Sequence, residues 1–327
     1  MARAIVLLSG GLDSLLAVKV LQEQGIDLVA MHFSLPTVHA NAKEEFQKSL
    51  SQLEKIKFID IDCTKGKYFK KFINMIRKPR HGYGANINPC VDCKIFMLKI
   101  ARKMMRKLKA DFIATGEVLN ERPMSQYKGA LVKIEKESGL QGKLLRPLSA
   151  KLLGETDAEK KGLVDRKRLL DIDGRQRKVQ LELAKKYNLS FFPTPAGGCL
   201  LCEREFASKL LDLFKYGKRI KPTDIALLKI GRHFRFNRCK IIVGRNDKEN
   251  KELKRFRGLK LEPANNLPGP TALLTKWNKA VIRKAAELVA YYSDKQQPMD
   301  IVYGKESFNK SIFVHLPEEK EVEILRI

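Results

Sequence analysis

Six residues near the start of the chain have the types and the order that phosphate binding needs. The string SGGLDS, residues 9–14, follows the short apolar run Ala4–Leu8 and precedes apolar residues at helical spacing. Gly10 and Gly11 allow the backbone to turn sharply and to approach a ligand closely. The first amides and the positive dipole end of the following helix favour an anion. A GK[ST] ending is missing, so the Walker-type loop is excluded. A plain strand-to-helix turn remains the alternative for the glycine pair alone.

Four of the six cysteines form two pairs with the spacing of metal ligands or redox centres. Cys90 and Cys93 lie three apart in NPCVDC, at a predicted helix start that lowers the pKa of a thiol. Cys199 and Cys202 follow after 105 intervening residues, too far for a zinc ribbon, so the pairs can meet only through the fold. Zinc, an iron–sulfur cluster and redox exchange stay open on spacing alone. The two solitary cysteines are interpreted as packing residues.

Strands and helices that alternate along the first half must position these groups. Short apolar runs after the first are predicted strands, at Val29–Phe33, Phe58–Ile61 and Ala110–Ala114. The alternation indicates an α/β fold with a doubly wound parallel sheet. Such sheets bind ligands beyond the carboxyl ends of their strands, so SGGLDS, His32 and the segment after Ala114 should share one crevice. We expect His32 to shape a nucleotide pocket through the backbone rather than to act as a base.

The charge balance indicates a polyanionic partner. The 327 residues contain 64 Lys or Arg against 37 Asp or Glu, a formal charge of +27. Such an excess favours nucleic acid first and a membrane surface second. No run approaches the roughly 20 apolar residues of a membrane span, and the N-terminus has the pattern of a strand rather than a signal peptide. The sequence therefore predicts a soluble, cytoplasmic protein with no membrane partner.

The basic residues are concentrated in 215–257, where 15 Lys or Arg stand against four acids. The run RHFRFNRCKIIVGRN within it combines cations with planar rings, as nucleic-acid surfaces do. A solvated face is the alternative. The predicted RNA-binding residues are Arg232, His233, Arg235, Arg238 and Arg245. The predicted domains are 1–150 with the phosphate loop, 151–216 as a helical extension with the second cysteine pair, and 217–327 as a small basic α+β domain.

Taken together, the motifs resemble the PP-loop ATP pyrophosphatase superfamily, and within it the tRNA thiouridine synthetases of the 4-thiouridine and 2-thiouridine type. The strings that carry the likeness are SGGLDS, NPCVDC, ATGEVLNERPMSQ and FPTPAGGCLLC, over roughly residues 1–215. The basic tail resembles, more weakly, the small RNA-binding domain of ribosome-quality-control factors of the NFACT type. The resemblance implies a sheet like that of the adenine nucleotide alpha hydrolases.

The resemblance also implies ATP-dependent thiolation of a tRNA uridine. A uridine carbonyl oxygen would attack the α-phosphate of ATP, pyrophosphate would leave, and sulfur would then displace AMP. The implied residues for ATP and Mg²⁺ are Ser9, Gly10, Gly11, Leu12, Asp13, Ser14, His32 and Gly116. The implied catalytic residues are Asp13, Cys90, Cys93 and Cys199. The expected partners are tRNA and a sulfide or persulfide donor, and a homodimer is a further expectation.

The resemblance to family members that lack a rhodanese domain implies a 4Fe–4S cluster held by three cysteines, with one iron open to sulfide. In this sequence the three cysteines are Cys90, Cys93 and Cys199. Cys202 is a candidate fourth ligand that would close the cluster or complete a zinc site. Without a cluster, Cys199 and a thiol of the first pair would carry a persulfide and its resolving group. Two other functions stay open: an amide-forming ligase of the same superfamily, and a non-catalytic RNA-binding protein with a nucleotide-sensing loop.

Overall fold

The computed structural model describes residues 1–53, 56–193 and 198–327, which form two compact units, Met1–Glu203 and Arg204–Ile327. Within the predicted segment FPTPAGGCLLC, residues 194–197 lie outside the described residues. Residues 151–203 belong to the first unit, together with the phosphate loop, and the helix that begins at Arg204 belongs to the second. The boundaries near 150 and 216 stay predictions.

The first unit alternates strands and helices. In chain order these are β1 (Arg3–Leu7), α1 (Leu12–Gln22), β2 (Asp27–Ser34), α2 (Ala42–Leu50), β3 (Lys57–Asp62), α3 (Gly66–Arg77), α4 (Cys90–Lys107), β4 (Phe112–Thr115), α5 (Lys128–Ser138), β5 (Leu144–Leu145), α6 (Asp157–Lys160) and α7 (Lys178–Lys186). Short 3₁₀ turns lie at Ala150–Leu152, Arg166–Arg168 and Leu200–Cys202.

A five-stranded parallel sheet with the order β3-β2-β1-β4-β5 lies at the centre of the first unit. Its register places Val6 of β1 opposite Ala30 and Ala114 of the two neighbouring strands. Alternate side chains enter different cores: Ala4 and Val6 contribute to one buried cluster and Ile5 to another. The predicted doubly wound α/β sheet is confirmed. Because the strand order reverses between β1 and β4, the loops after these strands flank the crevice where such sheets bind ligands.

The second unit combines helices with a second sheet. Its elements are α8 (Arg204–Tyr216), α9 (Pro222–Leu228), β6 (Arg232–Phe236), β7 (Cys239–Val243), α10 (Asp247–Lys254), β8 (Leu259–Pro263), β9 (Ala272–Leu274), α11 (Lys279–Tyr291), β10 (Met299–Gly304), β11 (Lys310–Val314) and α12 (Glu319–Leu325). Across both units, no helix in the described ranges has the length and apolar character that a membrane span requires.

The sheet of the second unit is antiparallel, with the order β11-β10-β8-β9-β7-β6. One face packs against α11 in a cluster that includes Phe234 and Val289. On the other face, Ile242 and Leu273 pack against Leu253 of α10. The predicted small α+β domain is therefore confirmed as a fold, with its core on both sides of the sheet.

Candidate functional site

The loop between β1 and α1, together with the first residues of α1, makes a sharp turn at residues 9–14, the phosphate corner, whose shape is set by its own residues. Gly10 has a φ of +85°, a left-handed conformation that favours glycine. Gly11 is extended, and α1 begins directly after it without a side-chain cap among the described residues. The Ser14 hydroxyl donates to the Gly11 carbonyl at 2.8 Å and accepts from the Ser9 amide at 3.3 Å. The corner is thus held by hydrogen bonds among its own residues, and the uncapped start of α1 suits an anion.

Two of the predicted nucleotide-binding residues, Leu12 and His32, support the corner from the side of the protein core. The Leu12 side chain is fully buried in the core, so Leu12 can contribute only its backbone. The His32 ring stacks on Phe46 at a centroid distance of 3.7 Å, and its Nδ1 donates to the Leu8 carbonyl at 3.0 Å. Burial lowers the pKa of His32, against the effect of the hydrogen bond to Leu8. His32 is therefore neutral near pH 7 and holds the chain that enters the loop.

Gly116, in the loop after β4, lies directly against the start of α1. A Cβ at this position would lie 2.5 Å from the Asp13 carbonyl and 2.6 Å from the Ser14 nitrogen. Both obstacles are backbone atoms, which cannot rotate away as a flexible side chain could. Only glycine therefore allows the loops after β1 and β4 to touch where the strand order reverses.

Asp13 and Glu121 are two carboxyl groups that share one arginine. Arg177 Nη2 lies 3.3 Å from Asp13 Oδ2, and Arg177 Nε lies 3.9 Å from Glu121 Oε1. Burial raises the pKa of Asp13 in spite of Arg177. Burial also raises the pKa of Glu121, and the charge of Asp13 adds to the effect. Asp13 Oδ1 is buried and has no hydrogen-bond partner in the described structure. An added cation would stabilise both carboxylates, and Mg²⁺ prefers such oxygen ligands.

Sequence reasoning missed Glu121 and Arg177 as members of this group. Glu121 lies inside the ATGEVLNERPMSQ motif, so its presence in a recognised string was the available signal. Arg177 follows Asp13 by 164 positions and lies in a charged stretch that looks like a solvated helix face. Only the fold brings this arginine to the phosphate corner.

Glu117 connects the loop after β4 with the helix that carries the first cysteine pair. Its buried carboxylate accepts hydrogen bonds from Thr115 Oγ1 at 3.0 Å and from Arg146 Nε at 3.1 Å. Lys94 of α4 lies 3.6 Å from its other oxygen. Burial disfavours the charge, but Lys94 and Arg146 outweigh it and the pKa of Glu117 is lowered. The ionised Glu117 therefore holds this loop against α4.

The loop before α4 fixes the first cysteine pair at the start of the helix. Asp92, between the two cysteines, accepts hydrogen bonds at 3.0 Å from the amides of Arg80 and His81. Asn88 Nδ2 donates to Cys90 Sγ at 3.3 Å. Asp92 and Asn88 are positioning residues that the CxxC spacing alone does not reveal.

A 3₁₀ turn brings the second cysteine pair to the first. The Ile87 amide donates to the Leu201 carbonyl at 3.3 Å, and Asn86 Nδ2 donates to the Cys202 carbonyl at 2.5 Å. Both donors lie just before the helix that begins at Cys90. Two pairs that are far apart in the sequence therefore share one neighbourhood in the first unit.

The four thiols are close enough to change one another's pKa. The hydrogen bond between Cys199 and Cys202 raises the pKa of Cys199 and lowers that of Cys202 to about 7. Burial raises the pKa of Cys93 to about 12, and Cys90 adds to that shift. Even so, within the described ranges no three or more His, Cys, Asp or Glu side chains are arranged as a metal-ion site. The metal and iron–sulfur predictions are therefore not confirmed.

The loop after β4 reaches both the phosphate corner and the thiols. Glu121 lies beside Arg177. The charge of the next residue, Arg122, acts on Cys90 and Cys202, and at Cys90 it opposes the burial that raises the pKa. One short segment thus connects the two groups that the sequence analysis predicted to work together.

In the second unit, two residues of the predicted RNA-binding run are inside the fold. His233 is 1% exposed, and its Nε2 lies 2.9 Å from the Ile230 carbonyl and 3.1 Å from the Leu227 carbonyl. Burial lowers the pKa of His233 well below its usual value, so the ring is neutral. Phe234 is fully buried in the core. Neither side chain reaches the surface of the second unit.

Two of the predicted arginines are engaged with acids. Arg235 forms a paired interaction with Asp212, with Nε at 3.0 Å from Oδ1. Arg245 binds Glu249 through Nη2 at 2.6 Å and Nε at 3.0 Å. A phosphate would have to compete with these carboxylates for both guanidinium groups.

The other two predicted arginines have no ion pair in the described ranges, although Arg232 Nη1 donates to the Gly244 carbonyl at 3.3 Å. The Arg232 guanidinium lies 4.5 Å from the centroid of the Tyr292 ring. Arg238 is exposed at the β6–β7 turn, and its side chain has no ion pair among the described residues. Arg238 is therefore the member of the predicted set that is best placed for a phosphate.

Comparison with known proteins divides the chain in a similar way. Residues 1–150 match the family model described as thiamine biosynthesis protein (ThiI), and residues 231–324 match the model described as NFACT protein RNA binding domain. The predicted resemblance to these two families is thus confirmed within the two ranges.

Curated relatives match parts of the chain only. A "Probable tRNA sulfurtransferase" of Alkaliphilus metalliredigens (strain QYMF) is 27% identical over 149 residues, 45% of this chain and 36% of that protein. The "tRNA-specific 2-thiouridylase MnmA" of Karelsulcia muelleri (strain GWSS) is 32% identical over 127 residues, 38% of this chain and 33% of that protein. The chain thus matches about a third of the length of each relative. A crystal structure of a 4-thiouridine synthetase–RNA complex with bound ATP aligns at 17% identity over 70% of this chain and 52% of its own, with a TM-score of 0.40.

Proposed function

We propose that this protein thiolates a uridine of tRNA at the expense of ATP. The observation that carries the proposal is the loop after β4, which touches the phosphate corner at Gly116 and, through Glu117 and Lys94, contacts the helix that carries the first cysteine pair. A nucleotide at the corner and sulfur at the thiols could then meet at one uridine. The family-model matches of residues 1–150 and 231–324 support this reading.

In the first step, a uridine carbonyl oxygen attacks the α-phosphorus of ATP, and the bond from that phosphorus to the bridging oxygen breaks. Pyrophosphate leaves, and the uridine is adenylated. Ser9–Ser14 binds the leaving pyrophosphate, because the uncapped start of α1 stabilises the negative charge that develops there. Asp13 and Glu121 would hold Mg²⁺, which supplies charge neutralisation to the phosphates. Arg177 keeps the two carboxylates in place.

In the second step, sulfur attacks the activated carbon, a C–S bond forms, and AMP leaves with the former carbonyl oxygen. The sulfur comes from an exogenous sulfide; if a cysteine persulfide supplies it instead, a second cysteine thiol must cleave the S–S bond, which releases the thiouridine and leaves a disulfide between the two cysteines. Cys90, Cys93 and Cys199 would hold a 4Fe–4S cluster, which supplies an iron for sulfide. Thiolates are the ligands that such a cluster prefers, although the described side chains are not arranged as a metal site. Asp92 and Asn88 hold the first pair in position.

The test uses the full chain with ATP, Mg²⁺, sulfide and tRNA that lacks modifications. We expect pyrophosphate release that depends on tRNA, and a sulfur-containing uridine in the digested tRNA by mass spectrometry. Pyrophosphate release that responds to an amine instead of tRNA would identify an amide ligase and contradict the proposal.

The cluster is tested separately on anaerobically purified protein. We expect iron, labile sulfide and the visible absorbance of an iron–sulfur cluster, which Cys90→Ala, Cys93→Ala and Cys199→Ala each remove. Cys202→Ala is the matched control and should keep both the absorbance and thiolation. One zinc per chain and no iron would contradict the cluster and make Cys202 the fourth ligand.

A further inference from the structure

The second unit contains a pocket beside the hairpin between β10 and β11. Its volume is about 300 Å³, and its walls include Lys254, Lys260, Lys305, Glu306 and Phe308. The Phe308 side chain is 39% exposed, which is unusual for a large apolar ring. Three ammonium groups and one carboxylate therefore surround an aromatic ring that solvent can reach.

The pocket is held in shape by contacts of its own walls. Lys260 Nζ donates to the Lys305 carbonyl at 2.9 Å, which ties β8 to the hairpin. Lys254 Nζ lies 2.7 Å from Glu262 Oε1 on β8. A Cβ at Gly304 would collide with the Ser307 carbonyl, so the hairpin closes tightly at that residue.

The fluorescence of Trp277, which lies beside Lys305 of the pocket wall, offers a way to detect a bound ligand. Lys305 Nζ lies 5.7 Å from the centroid of the Trp277 ring, and the chain has a single tryptophan. Trp277 is 36% exposed, so a polyanion that draws the Lys305 ammonium away changes the environment of this ring.

We infer that this pocket binds one unpaired nucleotide of RNA, with its base against Phe308 and its phosphate between Lys260 and Lys305. The inference rests on the proposed RNA substrate and adds a binding site outside the predicted 232–245 run. Every base has a face that can stack on an aromatic ring, and lysines supply the charge for the backbone. Bases inside a duplex are already stacked, so single-stranded or looped RNA is the ligand class.

An anionic membrane is the competing partner for lysines around an exposed ring. The pocket is concave, and Glu306 in its wall would repel a flat anionic surface. A single nucleotide can enter a concave pocket of about 300 Å³, which a flat bilayer surface cannot do, and this favours RNA.

The test uses the full chain and a fluorescein-labelled 12-residue oligouridylate, with binding measured by anisotropy. We expect Phe308→Ala to weaken binding roughly 5- to 140-fold, the range that loss of one stacked base gives. Lys305→Ala should reduce the slope of log affinity against log salt by about 0.7. The oligonucleotide should also change the Trp277 emission of the wild type, and Phe308→Ala should shift that titration to higher concentration.

The matched controls are Phe313→Ala and Lys320→Ala, which change an exposed ring and an exposed lysine outside the pocket walls. Equal loss of affinity in Phe308→Ala and Phe313→Ala would overturn the inference. So would an equal effect of Phe308→Ala on a blunt RNA duplex, or Phe308-dependent binding to phosphatidylserine vesicles without an effect on the oligouridylate. Circular dichroism melting of each variant checks the fold.

Failure of the proposed function gives a different result. A wild type that forms no thiouridine but binds oligouridylate through Phe308 contradicts thiolation and supports the pocket. A wild type that thiolates tRNA with unchanged affinity in Phe308→Ala supports thiolation and overturns the pocket.

Discussion

The two units arrange their charged side chains in opposite ways. In the first unit, Asp13, Glu121 and Arg177 converge on one corner, where burial raises the pKa of both carboxyl groups. In the second unit, arginines of the basic run pair with acids, as Arg235 does with Asp212. In the first unit, two carboxyl groups share one arginine, so their negative charge is not fully neutralised. In the second unit, the positive charge of an arginine such as Arg235 is neutralised by a neighbouring acid.

The difference shows what a motif and a composition can each predict. A motif such as SGGLDS specifies backbone geometry, and that geometry appears at residues 9–14. A count of charges does not say which of them are paired, since Asp212 lies outside the counted stretch 215–257 and neutralises a charge within it.

The largest effect should come from Asp13→Asn. We expect tRNA-dependent pyrophosphate release to fall by about 1,000-fold, because the corner loses the charge that faces the phosphates and their cation. The measurement is the initial rate of pyrophosphate release at saturating ATP. Asp171→Asn, which changes an exposed carboxylate of the same unit, should leave the rate unchanged. Near-normal turnover in Asp13→Asn would refute the assignment of the corner.

Phe234→Ala tests whether the basic run is a surface or a core element. The ring is fully buried, so we expect the free energy of unfolding to fall by about 3–5 kcal/mol in urea titrations. Phe313→Ala, at an exposed ring, should change it by less than about 0.5 kcal/mol. An unchanged stability in Phe234→Ala, combined with weaker RNA binding, would place this ring on the RNA surface instead.

Gly116→Ala should separate the two loops of the corner. The added methyl group meets the backbone of Asp13 and Ser14, and overpacking of this kind costs about 1–3 kcal/mol. We expect lower stability and weaker ATP binding, measured by urea titration and by calorimetry. Gly154→Ala is the matched control because nothing lies within 4 Å of its added Cβ. Equal behaviour of the two variants would show that the contact at Gly116 is not needed.

Two arginines of the basic run should differ in their salt dependence. Arg238 is exposed, whereas Arg245 is bound to Glu249. Arg238→Ala should reduce the slope of log tRNA affinity against log salt by about 0.7–0.9, as one lost phosphate contact does. Arg245→Ala should change the slope less, because its charge is already compensated. The reverse order would mean that RNA displaces Glu249.

The smallest effect concerns pH. The pKa of Asp13 is raised above its ordinary 3.8 in the folded state, so the native protein holds this proton more tightly than the unfolded chain does. The contribution of Asp13 to stability is complete below about pH 3.8 and is lost as pH rises through the folded pKa. Urea titrations from pH 3 upward should show the wild type losing stability relative to Asp13→Asn. A wild type that gains stability over this range would mean that Arg177 outweighs burial.

The sequence by itself determined the parallel sheet, the corner and the existence of two cysteine pairs. Short apolar runs such as Ala4–Leu8 have one stable placement, inside a sheet covered on both faces, and glycines with a following helix define the turn. The string ATGEVLNERPMSQ, which contains Gly116, also predicted that the loop after β4 belongs to the same crevice. These features depend on the backbone preferences and the polarity of neighbouring residues, and a short stretch of sequence specifies both.

Only the tertiary structure decided which distant groups meet. Arg177 reaches Asp13 across 164 positions, and the Cys202 turn reaches Asn86 across 116. His233 is buried although Arg232 precedes it and Arg235 follows two positions later. Burial and pairing depend on which surfaces the packed elements bring together, and that is a property of the whole fold rather than of any run of residues.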